Sequence, residues 1–220
     1  MAEPTAPHFA DRRDAGRQLA GRLLPLADED PVVVGLPRGG VPVAEEIATA
    51  LGAPLEILSV RKLGAPHNPE YGIGAIAEDG TRVFDPEALV VLGIDNRMLE
   101  AIVARETAEL RRRVAAYRGD QAAMPLDRRT VIVVDDGVAT GATDTAALRT
   151  IRRCRPRRLV LAVPVCPPDS LSLLRKEADE VVCLLTPPQL YGVGQWYRDF
   201  SQVPDHEVIA ALCTTRNATA

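Results

Sequence analysis

Long apolar runs are missing from this chain. None approaches the ~18 residues that a membrane-spanning helix needs. The opening stretch MAEPTAPHFADRR has no apolar centre of the kind a secretory signal requires. A cytoplasmic protein without a membrane partner is therefore expected. Cysteine is sparse: Cys154, Cys166, Cys183 and Cys213 form no C-x-x-C pair and have no histidine at ligand spacing. That argues against zinc and for thiols packed as small hydrophobes in a reducing compartment. Basic charge is not in excess, since the net charge is −4. Bulk nucleic-acid binding is thereby excluded, but a local basic pocket for a phosphorylated small molecule is not. There is no G-x-S-x-G elbow and no H-E-x-x-H pair, so hydrolase and metalloprotease readings lack their residues. Internal repeats and low-complexity tracts are absent too. What remains is ordinary globular composition, 46% hydrophobic and 25% charged over 220 residues. That is enough for one domain with a full core, with or without a small appendage.

The order of patterns is that of an α/β protein. Asp11 to Leu26 has the spacing of an amphipathic helix, with Leu19, Leu23 and Leu24 on one stripe. Val32 to Gly35 is a short apolar run that ends in Pro37-Arg38-Gly39-Gly40. A helical pattern follows from Val41 to Leu51, then a second apolar run from Leu55 to Val60. Strand, glycine turn, helix and strand in that order predict a βαβ unit and a parallel sheet. Arg61 to Tyr71 is polar, rich in Gly and Pro, and without periodicity, which predicts a loop. Ile73–Ala77 and Arg82–Phe84 predict an antiparallel pair, and Asp95–Tyr117 a long helix whose Arg111-Arg112-Arg113 run is its solvated face. Thr130–Val134, Leu159–Val165 and Val181–Leu185 predict buried strands. Helices are predicted between them and from about Asp205 to Leu212. The tail from Pro187 holds Tyr191, Trp196, Tyr197 and Phe200, half of the aromatic residues in the chain.

The most informative segment is VIVVDDGVATGAT, residues 131–143. A buried strand delivers Asp135 and Asp136 to its C-terminal end, the edge where ligands bind in open α/β sheets. Gly137, Val138, Ala139, Thr140, Gly141, Ala142 and Thr143 then make a tight turn into a helix. Backbone N–H groups in such a turn, with a helix N-terminus behind them, form an anion cradle, and Thr140 and Thr143 add hydroxyl donors. Gly141 is followed by Ala142 rather than Lys, so the turn is not a Walker-type loop. Two carboxylates can accept hydrogen bonds from vicinal hydroxyls and hold a hydrated Mg2+. A ribose 5-phosphate suits both ends of the segment. The plainer reading, a helix cap with an acidic start, needs neither the second Asp nor two glycines.

These residues resemble the phosphoribosyl-pyrophosphate (PRPP) motif of type I phosphoribosyltransferases: four apolar residues, two acidic ones, then a small-residue loop ending in Thr-Gly and a hydroxyl residue. The resemblance implies an α/β fold of that type, a mostly parallel sheet flanked by helices with a small hood subdomain. It implies that Asp135 and Asp136 hold the ribose hydroxyls and Mg2+, that the loop from Val138 to Thr143 holds the 5-phosphate, and that Gly137 belongs to the same PRPP-binding segment. Gly35-Leu36-Pro37-Arg38-Gly39-Gly40 looks like the family's pyrophosphate loop, with pyrophosphate bound by Pro37, Arg38, Gly39 and Gly40 and a cis bond expected at Pro37–Arg38. Arg61-Lys62 through Glu70 looks like the flexible catalytic loop of adenine and orotate phosphoribosyltransferases. Arg61 and Lys62 would draw off pyrophosphate, and His67 and Glu70 would contact the leaving group, metal or base. PRGGVPVA and RKLGAPHNPEYGIGA are similar to segments of an uncharacterised bacterial subgroup of phosphoribosyltransferase-like proteins.

Ala139 departs from the pattern of hypoxanthine–guanine enzymes, which carry an Asp there that faces the purine N7. A 6-oxopurine handled in that way is disfavoured. The resemblance divides the chain into a core over 1–186, with its flexible loop at 61–77, and a hood-like segment with a terminal helix over 187–220. Trp196 and Tyr197 are the expected base-binding residues; the alternative is that these rings form a satellite core. The implied activity is Mg2+-dependent transfer of ribose 5-phosphate from PRPP to a nitrogenous acceptor, in nucleotide salvage, by a protein that is commonly a homodimer. The alternatives are a PRPP- or nucleotide-binding regulator without turnover, and another phosphosugar enzyme on the same scaffold.

Overall fold

The structure is a computed structural model that describes residues 8–119 and 123–218, with side chains for all of these but 69–70 and 215–218. Helix α1 (Arg12–Leu23) is capped by Asp11, whose carboxylate accepts from the Asp14 amide. It stops short of Leu26, because Pro25 has no amide to continue the ladder and the chain tightens into a 3-10 turn, Leu24–Glu29. Then follow β1 (Pro31–Gly35), α2 (Gly40–Leu51) and β2 (Leu55–Ile57). The last third supplies β6 (Thr130–Val134), α5 (Ala142–Arg153), β7 (Arg158–Val165), α6 (Pro168–Leu174) and β8 (Glu180–Leu185). These strands form one parallel sheet in the order β2-β1-β6-β7-β8.

Both faces of the sheet are covered, which is why β6 reads as an unbroken β-branched run. Ile132 and Val134 face one core with Leu19, Leu23 and Ile47 of the α1 and α2 layer and with Val208. Val131 and Val133 face the other, with Leu148, Ile151, Leu171 and Leu174 of α5 and α6. The final helix, α7 (Asp205–Ala218), belongs to the first layer through Val208, Ala211 and Leu212.

Residues 60–118 make a second, smaller unit: β3 (Val60–Ala65), β4 (Asn68–Ala77), β5 (Arg82–Phe84), α3 (Pro86–Val91) and α4 (Asn96–Arg118). The three strands form an antiparallel sheet in that order. Its own core holds Leu63, Ile73, Ile76, Ile102, Val103 and Leu110. The expected loop over 61–71 is thus two paired strands joined at Pro66-His67. Their alternation is broken by register shifts on both sides of Gly64, and Gly74 (φ 157°) leaves no room for a side chain, since a Cβ there would stand 2.2 Å from the Val83 carbonyl oxygen. Arg118 ties this unit to the parallel sheet: it donates to the Ile57 carbonyl at 2.7 Å and pairs with Glu78 at 2.5 Å. The α/β fold with a small hood sheet is therefore present, and the hood sheet lies in the middle of the chain. Segment 187–200 folds back over the start of α1 instead, where Phe9, Ala15 and Tyr197 form a small core.

Candidate functional site

Strands β1 and β6 are neighbours, paired Gly35 to Val134, and they end at the same edge of the sheet. Beyond that edge the Leu36 amide donates to the Val134 carbonyl at 2.9 Å, so the two outgoing loops start side by side. From β1 leaves Pro37-Arg38-Gly39-Gly40, with the Pro37–Arg38 peptide bond cis. From β6 leaves Asp135 through Thr143. The loops touch through their glycines. A Cβ on Gly39 would stand 1.9 Å from Asp136 Oδ2, and one on Gly40 would stand 2.5 Å from the Val134 carbonyl oxygen and 2.9 Å from Asp135 Cα. Only residues without side chains let the acidic pair and this turn share the space.

The small-residue loop is fastened at three points. The Val138 amide donates to the Val165 carbonyl at 2.8 Å, and Ser170 Oγ of α6 donates to the Ala139 carbonyl at 2.7 Å. Gly141 (φ 78°) takes the left-handed conformation that begins α5. Gly137 (φ 151°) lies under Val193, whose Cγ1 would be 2.5 Å from a Cβ there. Between these anchors Ala139 and Thr140 are exposed and Ala142 and Thr143 half-buried. The first turn of α5 thus opens onto the surface as a place for an anion.

The acidic pair is deeply set. The Asp136 amide donates to Asp135 Oδ1 at 2.8 Å. Burial raises the Asp135 carboxyl well above the usual range, and the charges of Asp136 and Asp144 add to that. Burial raises Asp136 too, while the Arg12 guanidinium opposes it. Arg12 Nε donates to Asp136 Oδ2 at 2.7 Å. Tyr197 Oη donates to the Asp136 carbonyl at 2.6 Å. Asp144, in the first turn of α5, is buried, its Oδ1 has no hydrogen-bond partner, and burial lifts its pKa to about 7.

The site residues expected from sequence fall into four groups. Asp135, Asp136, Gly39 and Gly40 are in contact. Arg38 turns toward the first turn of α7, 3.7 Å from Asp205. The hairpin residues sit on the smaller unit: Arg61 donates to Glu106 of α4 from Nε at 3.0 Å and from its terminal nitrogen at 2.5 Å, while Lys62 and His67 are exposed. The side chain of Glu70 lies outside the described residues. Trp196 is half-buried against the Phe9 core and its indole N–H has no partner. Tyr197 is 4% exposed, with ring centroids 5.3 Å from Phe9 and 5.0 Å from Phe200. Its ring packs between Phe9 and Phe200 while its hydroxyl braces the acidic loop. Arg12 and Asp144 were missed. Nothing in the sequence ties Arg12 to a partner 124 positions away. Asp144 left a trace, since it stands on the buried stripe of α5 with Leu148 and Ile151.

Comparison with known proteins agrees with this geometry. Residues 12–194 match the model of the "Phosphoribosyl transferase domain". The Mycobacterium tuberculosis proteins named "Putative phosphoribosyl transferase Rv0571c" and, in another strain, "Putative phosphoribosyl transferase MT0597" are each 48% identical over 93% of the chain. The match covers 46% of those proteins, so the chain spans about half the length of the curated relatives it matches. The crystal structure of TT1426 from Thermus thermophilus is 46% identical and superposes with a TM-score of 0.78, over 94% of this chain and 98% of that one. A cradle built from two loops on adjacent parallel strands, a family match across most of the chain and a full-length structural relative at 46% identity agree: the chain belongs to the phosphoribosyl transferase domain family.

Proposed function

We propose that the chain is a Mg2+-dependent phosphoribosyltransferase that moves ribose 5-phosphate from PRPP to a ring nitrogen of a nucleobase-like acceptor and releases pyrophosphate. The observation that carries this reading is the contact of Gly39 and Gly40 with the Asp136–Asp135 pair. It brings the Pro37–Gly40 turn beside the acid pair, with the small-residue loop a few residues further on, which supports a ligand that carries both a diol and phosphates. In the step proposed, the bond from C1 of the ribose to pyrophosphate breaks as the acceptor nitrogen bonds to C1, the bonding pair leaves with pyrophosphate, and the acceptor's N–H proton passes to water. Charge builds on the sugar as in glycoside chemistry. The protein's part is to hold the two partners in line and to stabilise the departing anion.

In this reading Asp135 and Asp136 accept from the ribose hydroxyls. The loop from Val138 to Thr143 holds the 5-phosphate with its backbone amides, and Arg38 meets the pyrophosphate with a planar fork. Two carboxylates suit Mg2+, which takes one or two from protein and keeps water and substrate oxygens for its other positions. Bound there, it supplies positive charge against the pyrophosphate. Arg61 and Lys62 complete the leaving-group clamp when the hairpin approaches, a motion that also excludes water. The acceptor, the cytoplasmic setting and a homodimeric state are parts of the same proposal.

Pyrophosphate release is to be measured across a panel of nucleobases, alongside calorimetry of PRPP with Mg2+ for the wild type and Asp136→Asn. Release with one base class, and loss of PRPP affinity in the variant, are expected. Unchanged affinity in Asp136→Asn would remove the central assignment. One observation favours a second reading, a PRPP-binding regulator without turnover: Arg61 is already committed to Glu106. Tight PRPP binding with no release for any base would select it.

A further inference from the structure

Arg12 lies in the first turn of α1, outside every segment assigned to the sugar site, yet its guanidinium reaches Asp136. It is held on three sides. Nε donates to Asp136 Oδ2 at 2.7 Å, one terminal nitrogen donates to the Ser201 carbonyl at 2.8 Å, and the guanidinium carbon stands 3.8 Å over the Phe200 ring. Its side chain is 11% exposed. Phe200 packs in turn on Tyr197, whose hydroxyl holds the Asp136 carbonyl from the other side. A side chain anchored to a carboxylate, a carbonyl and a ring is a strut, because each anchor removes rotamers that a mobile gate would need.

We propose that Arg12 is a positioning residue for PRPP: it fixes the orientation of the Asp136 carboxylate through Oδ2, leaving Oδ1 to the ribose diol. This rests on the reading of Asp136 as a ribose-binding residue. A carboxylate that must accept from two vicinal hydroxyls has to be held in one plane, and a guanidinium on Oδ2 fixes that plane. Phe200 and Ser201 supply the other anchors, so the C-terminal segment takes part in sugar binding through Arg12 without touching the sugar.

The test is a double-mutant cycle read by calorimetry of PRPP with Mg2+, with melting curves for each protein. Arg12→Met is expected to weaken binding ~10–100-fold, the range found when the partner of a ligating side chain is removed. The same change in an Asp136→Asn background is expected to cost less than ~3-fold, because Arg12 acts through that carboxylate. Equal losses in both backgrounds would mean that Arg12 merely attracts a polyanion, and would overturn the proposal. Tighter binding by Arg12→Met would mean that it competes with the sugar, and unchanged binding that it is structural only; either overturns it. Should Arg12→Met fail to fold, Phe200→Leu, which keeps the guanidinium and removes the ring beneath it, decides through the same cycle, with a smaller loss that also vanishes in Asp136→Asn. If the wild type binds no PRPP, the reading of the site fails. If the wild type binds and Asp136→Asn alone weakens it, that reading stands whatever Arg12 does.

Discussion

Gly39 and Asp136 are packed so closely that one methyl group on the glycine would stand 1.9 Å from the carboxylate oxygen. The backbone of Gly39 (φ −63°) is one that alanine adopts freely, so only the missing space demands glycine. Gly39→Ala is therefore expected to push the two loops apart. The expected cost is ~1–3 kcal/mol of stability, as for other overpacked sites. PRPP binding should fall below detection by calorimetry. A variant that melts and binds like the wild type would show that the loops part easily, and that their contact does not shape the site.

Tyr197 braces the same carboxylate-bearing residue from behind, by its hydroxyl on the Asp136 carbonyl. Tyr197→Phe keeps the ring among Phe9 and Phe200 and removes only that donor. The expected loss is ~1 kcal/mol, the usual net worth of a hydrogen bond. That lowers the melting temperature by ~2–4 °C in a protein of this size. Scanning calorimetry on both proteins checks it.

Asp144 makes stability fall as pH rises. Its carboxyl titrates at about 7 in the folded chain against an ordinary 3.8, with burial the main cause. Between those values the native state holds a proton that the unfolded chain has released, so unfolding becomes easier as pH climbs through the interval. Asp144→Asn removes the ionisation. It should stabilise the protein at pH 8 by roughly 4 kcal/mol and leave it nearly unchanged at pH 4. Urea melts at the two pH values, with chelator present, measure the difference. An equal effect at both would exclude the ionisation as its source.

Arg61 and Glu106 set the resting state of the hairpin. Their pairing holds the Glu106 carboxyl below its usual range, although burial opposes the shift, so the pair's contribution to stability is present at neutral pH and lost as pH falls through the lowered value. Glu106→Gln removes the counter-charge and frees the guanidinium. If Arg61 serves the leaving group, this variant is expected to lower the KM for PRPP two-fold or more, while Arg61→Met lowers kcat. Steady-state pyrophosphate release separates the two. A KM for PRPP unchanged in both variants would leave Arg61 a structural residue of the smaller unit.

How much of this was legible in the sequence depended on how local each feature is. The strands of the parallel sheet announce themselves because both faces of Val131–Val134 are buried, which requires a continuous apolar run. The acid pair and glycine loop are contiguous, so the motif itself could be read directly. Strand β3 and the first half of β4 were hidden by Gly64 and Gly72 and by Pro66 and Pro69, residues that signal a loop unless a partner strand is known, whereas Ile73–Ala77 was legible as a strand. Helix α3 has six residues, too few to establish a period. Arg12, Tyr197 and Phe200 reach the acid loop only through the tertiary fold, and periodicity carries no trace of that.

The neighbourhood of β1 and β6 has a further consequence. Residues 60–118 leave the parallel sheet after β2 and return before β6, with a core of their own around Leu63, Ile73, Ile76 and Leu110. The distance between the two loops is set by the pairing of β1 with β6, so this long excursion of the chain does not enter into it.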